Sequence, residues 1–124
     1  MRLTILAIIT ATALGACSAP SQTGGYDRDL NTKTAGAAVV SGFAKMCGGK
    51  RITEYRDSFV QTMKAQRPVS AEAESKIRAQ FTSVDSSVAA RFPDAAARKK
   101  QCTEFPLNQA TIDRGVAGDF TGQI

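Results

Sequence analysis

The sequence predicts an all-α fold, a small bundle of four to five short helices that follows a flexible tether. Two observations carry that prediction. From residue 34 onward apolar side chains recur at spacings of three and four, with no alternating stretch to compete. The same region is divided into short segments by capping residues at their starts and glycine or proline at their ends.

The first helix is predicted from about Thr34 to Met46, with Asn31, Thr32 or Thr34 as cap and Cys47-Gly48-Gly49 as stop, since a glycine past a helix end allows the left-handed cap. Val39, Phe43 and Met46 fall at i, i+4 and i+7 with Val40 beside them, which marks an apolar face, and the small residues at 35 to 38 suggest close packing. Thr53 is the expected cap of a second helix, Glu54 to about Arg67. Tyr55, Phe59, Val60 and Met63 share one of its faces, and Pro68 ends it. Ser70 caps the third and longest segment, Ala71 to about Ala90. There Glu72 and Glu74 suit the positive helix start, and Ile77, Phe81, Val84 and Val88 form the most regular stripe in the chain. Asp94 caps a fourth helix through Ala95 to about Glu104, before Pro106. A last short helix begins near Asn108 and turns Ile112 and Val116 inward. Residues 119 to 124 are expected as a loose tail unless Phe120 docks.

Ahead of the domain at 34–124, residues 18 to about 33 are rich in Ser, Gly and Thr and poor in apolar side chains, the composition of a flexible linker. About sixteen such residues reach roughly 20–24 Å. Tyr26, the one aromatic there, reads as incidental. In front of the linker, Arg2 and the amino terminus precede a short apolar run that is below the roughly 20 residues of a membrane-spanning helix and has the layout of a secretory signal. Leu14-Gly15-Ala16-Cys17 resembles the lipobox of bacterial lipoproteins, over the first 17 residues of the chain.

That resemblance implies removal of residues 1–16, lipidation of Cys17, and attachment of residues 17–33 to a membrane through acyl chains, each contributing about 0.8 kcal/mol per buried methylene. With Ser18 rather than Asp after the cysteine, it implies the bacterial outer membrane, the domain facing the periplasm. In that oxidising compartment the two remaining cysteines, Cys47 and Cys102, are expected to form a disulfide. Closing a loop of about 56 residues contributes roughly 4 kcal/mol. It also draws Lys50 and Arg51, just after Cys47, toward Arg98, Lys99 and Lys100, just before Cys102. These five are the candidate residues for binding an anionic partner, with Lys99 and Lys100 diverging from Arg98 around the helix.

Sixteen basic and eleven acidic side chains leave a modest positive excess, which suits anionic partners. Nucleic acid is not expected for an exported, lipid-anchored chain. The chain has no histidine, which removes the commonest general base and metal ligand together. No Ser-x-x-Lys occurs. Ser41 and Lys45 lie one helical turn apart but lack any further catalytic context, Glu72 and Glu74 point away from each other, and Asp113 and Asp119 lack calcium-loop spacing. No enzyme, cofactor or metal is expected. The functional expectation is an outer-membrane lipoprotein that acts as an envelope structural or accessory binding module through a basic face. The rivals are a periplasmic acid-stress chaperone and an inhibitor or immunity factor for an envelope enzyme.

Overall fold

The computed structural model describes residues 24–124. The signal segment, Cys17 and the tether as far as residue 23 lie outside the described residues. Five helices follow in order: α1 (Arg28–Met46), α2 (Ile52–Gln66), α3 (Ala71–Arg91), α4 (Ala95–Glu104) and α5 (Gln109–Val116). Among the described residues there is no strand, so the chain is a small all-α bundle. α1 packs chiefly on α3, and α2 on α5.

The first helix begins six residues earlier than the sequence predicts. Asp27 is its cap, accepting from the Leu30 backbone N–H at 2.9 Å, and an ion pair with Arg67 holds Asp27 in place. The supposed linker residues 28–33 are its first turns, polar because all but Leu30 face outward or flank the core. Nor is Tyr26 incidental: it packs partly against the core, and its hydroxyl donates to Gln80 on α3. The Gly24 carbonyl accepts from the Ser70 N–H at 2.9 Å, and a Cβ on Gly24 would stand 2.8 Å from that nitrogen. Entry into the fold is thus tied to the α2–α3 turn.

The inward face of α1 is also a different one from that predicted. Leu30, Thr34, Ala37, Ser41 and Ala44, at spacings of four and three, are buried, together with Ala38 and Gly42. Thr34 and Ser41 tolerate burial because each hydroxyl donates to the carbonyl four residues earlier, both at 2.7 Å. Small side chains bring α3 close: a Cβ at Gly42 would stand 3.1 Å from Val84. The more apolar Val39–Phe43 stripe is left toward the outside, with Val39 48% exposed.

The other elements follow the sequence more closely. α2 starts at Ile52 rather than Glu54, so Thr53 lies inside it. Its cap is Arg51, which takes the left-handed conformation (φ 65°) without a side-chain cap bond. Instead the Arg51 guanidinium bonds Glu54 at 3.0 Å and approaches Asp113 at 3.6 Å, exposed pairs that offset part of the roughly 1–2 kcal/mol such a backbone costs a residue with a Cβ. Ser70 and Asp94 cap α3 and α4 through the N–H groups of Ala73 and Ala97. The tail docks: Phe120 sits edge-on to Tyr55 and Phe59, and Phe59 edge-on to Phe81, with centroids 5.2–5.9 Å apart. Gln123 accepts from the Tyr55 hydroxyl at 2.7 Å, and burial pushes that phenol up to about 12.

Cys47, at the end of α1, is bonded to Cys102 in α4, with Cα atoms 5.6 Å apart. α4 buries none of its residues, so the disulfide is its principal attachment to the bundle.

Candidate functional site

Ion pairs are unevenly spread over the molecule. In the body of the bundle most cations are matched, Arg28 and Arg114 being exceptions among the described residues. Arg56 holds Asp85 with two bonds of 2.7 and 2.8 Å, donates to the Ser41 hydroxyl at 2.9 Å, and lies 5.0 Å from the centre of the Phe81 ring. Lys45 adds a contact to Asp85 at 3.2 Å. The Arg56 hydrogen bonds are the main reason the Asp85 carboxyl titrates below its usual range. Arg67 with Asp27 and Asp29, and Arg78 with Asp57 and Glu74, form two further clusters. Ser41 and Lys45 are therefore both engaged with partners other than each other.

The disulfide end is different. Of the five basic residues singled out in the sequence, Arg51 is matched by Glu54 and Asp113. Arg98 turns its guanidinium onto the carbonyls of Phe92 and Pro93, at 3.0 and 3.2 Å, and so closes the end of α3. Lys50, Lys99 and Lys100 are exposed and, among the described residues, have no carboxylate within ion-pair distance. Lys50 is fixed by its backbone, whose N–H and carbonyl both bond the Gln109 side chain, at 3.0 and 2.9 Å. Arg91, at the end of α3, is a further exposed cation. The disulfide thus joins the α1–α2 turn to a cationic helix, with Lys50 on one side of the bond and Lys99 and Lys100 on the other.

Beside the same bond is an apolar cleft of about 320 Å³. Val40 and Phe43 of α1 form one wall, Phe105, Pro106 and Leu107 of the α4–α5 connection another, and Ile112 the floor, with Cys47 at the edge. Gln101, Asn108 and Thr111 are the polar groups in its lining, and none of the lining side chains is charged. Phe105 is 68% exposed, the most open large apolar residue described. Phe43 of the outward stripe, with Val40 beside it, is thus a cleft wall. The period of that stripe was visible in the sequence, whereas Phe105 gave one signal only: a large apolar residue at the end of a helix that has no apolar face of its own.

No group of three or more potential metal ligands gathers among the described residues, and none of the described helices is long and apolar enough to cross a membrane. In comparisons with family models, curated proteins and solved structures, nothing matches the chain.

Proposed function

We propose that this chain is a lipid-anchored, non-enzymatic binding module of the outer membrane that presents its disulfide end to an anionic component of the envelope. One observation supports this above the others: at that end Lys50, Lys99 and Lys100 are exposed without carboxylate partners, while most cations in the body of the bundle are matched. An unpaired surface lysine avoids both the desolvation and the side-chain ordering that an ion pair requires, and its charge stays available to a partner. The lipobox-like Leu14-Gly15-Ala16-Cys17 supports the anchor, which would hold the domain near anionic headgroups.

The test is co-sedimentation of the processed chain, residues 17–124 carrying Cys17→Ser, so that neither an acyl chain nor the apolar signal segment contributes, with vesicles of equal parts phosphatidylglycerol and phosphatidylcholine. Each basic side chain near such a surface is worth about 1 kcal/mol, so changing Lys50, Lys99 and Lys100 together to Gln should weaken binding by about two orders of magnitude. Binding that survives the triple change, or that is equal on pure phosphatidylcholine, would reject the basic-face reading.

A further inference from the structure

We propose that the cleft beside the Cys47–Cys102 bond binds the aliphatic chain of a single-chain anionic amphiphile, whose head group lies toward the lysines of the same end. The inference rests on the basic-face reading for the head group and on the cleft alone for the chain.

The walls select the chain. Val40, Phe43, Phe105, Leu107 and Ile112 offer aliphatic and aromatic surface without a charged side chain among them. At about 320 Å³ the cleft is at the small end of ligand pockets, which run from about 300 to 1,000 Å³. A methylene group takes nearly the room of a liquid water molecule, about 30 Å³, so the space suits a segment of about ten carbons.

Two features favour an occupant over an empty surface dimple. The disulfide holds the cleft open, because it ties α4, which bears Gln101 and leads into Phe105, to the end of α1 without packing that helix onto the core. Phe105 also stands largely in solvent at the rim, although the bundle has an aromatic core that has taken in Phe59, Phe81 and Phe120. An apolar ligand in the cleft would cover it.

The rim selects the head group. Among the described residues the Gln101 amide and the Thr111 hydroxyl make no side-chain hydrogen bond within the chain, and both line the cleft. Lys100 is the neighbour of Gln101, and Gln109, next to Asn108 in the lining, holds the backbone of Lys50. Two carboxylates adjoin the lining in sequence, Glu104 before Phe105 and Asp113 after Ile112; Arg51 and Gln109 already engage Asp113, which leaves Glu104 against Lys50, Lys99 and Lys100. The local field therefore favours an anion at the mouth, and an alcohol or a cationic head should bind less well.

The experiment is calorimetric titration of the processed chain, residues 17–124 carrying Cys17→Ser, with hexanoate, octanoate, decanoate, dodecanoate and tetradecanoate below their micelle concentrations, and with decanol and decyltrimethylammonium. Affinity should rise about fourfold per added methylene as far as decanoate and then level off. Phe105→Ser, which removes a side chain the core does not use, should weaken decanoate about tenfold and leave the helical circular dichroism unchanged. Lys50→Gln with Lys100→Gln should weaken decanoate and not decanol. A rise that continues undiminished through tetradecanoate would overturn the cleft, since it describes partition onto a surface. Failure of Phe105→Ser to change the affinity would overturn it too. Equal affinity for decanoate, decanol and decyltrimethylammonium would overturn the head-group assignment whatever the chain-length series shows, while the basic-face reading stands or falls on the vesicle assay. A dimer that Phe105→Ser dissociates, with no decanoate bound, would assign the cleft to a second copy of the chain and overturn the proposal.

Discussion

Removing the disulfide by Cys102→Ser should separate the fate of α4 from that of the bundle. α4 is ten residues long and buries none of them. An isolated helix shorter than about 12–15 residues is marginal in water, so packing and sequence together do not keep it formed. Its other local attachments are the Asp94 cap and the Arg98 bonds to the Phe92 and Pro93 carbonyls, which hold its start and not its end. The lost loop constraint is worth up to about 4 kcal/mol, a large part of the roughly 5–15 kcal/mol expected for a domain. The core of α1, α2, α3 and α5 contains neither cysteine among its fully buried side chains and should persist. Hydrogen exchange followed by mass spectrometry reads both effects at once. In the variant the amides of 98–105 should exchange as in an unstructured peptide, while those of α1 and α3 stay protected, and the urea midpoint should fall. Protection of 98–105 equal to that of α3 in the variant would refute the argument, since α4 would then be held by contacts other than the bond.

Three further outcomes follow from the packing and the charges. A Cβ at Gly115 would stand 2.3 Å from the buried Tyr55 ring, so Gly115→Ala should cost about 1–3 kcal/mol or more in urea unfolding, whereas Gly122→Ala, with open space around it, should cost only its backbone strain. Asp85 titrates below its ordinary value of 3.8 when folded, so its contribution is present at neutral pH and is lost as pH falls below that value. Asp85→Asn should therefore lower stability at pH 7, by about 1.5–3 kcal/mol, and flatten the acid limb of the stability curve. The Tyr55 phenol moves the opposite way, up from 10.0 to about 12, so its contribution is intact below about pH 10 and disappears as pH rises toward 12. Absorbance titration of Tyr55→Phe against the parent should remove the late phenolate step.

The parts of the fold legible in the sequence were those written in large apolar residues. The α3 stripe of Ile77, Phe81 and Val88 and the α2 face of Tyr55, Phe59 and Met63 are the observed core. α1 was misread because its buried stripe uses Thr34 and Ser41, which count as polar until their hydroxyls are seen bonded to the preceding turn. The Val39–Phe43 stripe, which has the stronger period, was taken for the core in its place. Residues 27–33 read as a linker because a helix whose outward positions are Asp, Asn, Thr and Lys has linker composition, and the lone Leu30 was too weak a sign of periodicity. At the candidate site, the pairing expected of the two cysteines left in an oxidising compartment draws the right segments together. Which cations were free was not legible, because the partners of Arg51 lie in α5 as well as beside it, and those of Arg98 are carbonyls. The cleft was invisible for a similar reason: Val40, Phe105 and Ile112 meet only after the bundle has closed.

The domain is proposed to be lipid-anchored, with a working end closed by the Cys47–Cys102 disulfide. Intact-mass spectrometry of the protein extracted from its native membrane, with and without reduction, tests both halves together. The expected mass is that of a chain beginning at an acylated Cys17, and it should rise by two hydrogens on reduction. An unacylated mass would contradict the anchor, and a mass unchanged by reduction would contradict the bond that joins the cationic helix to the cleft.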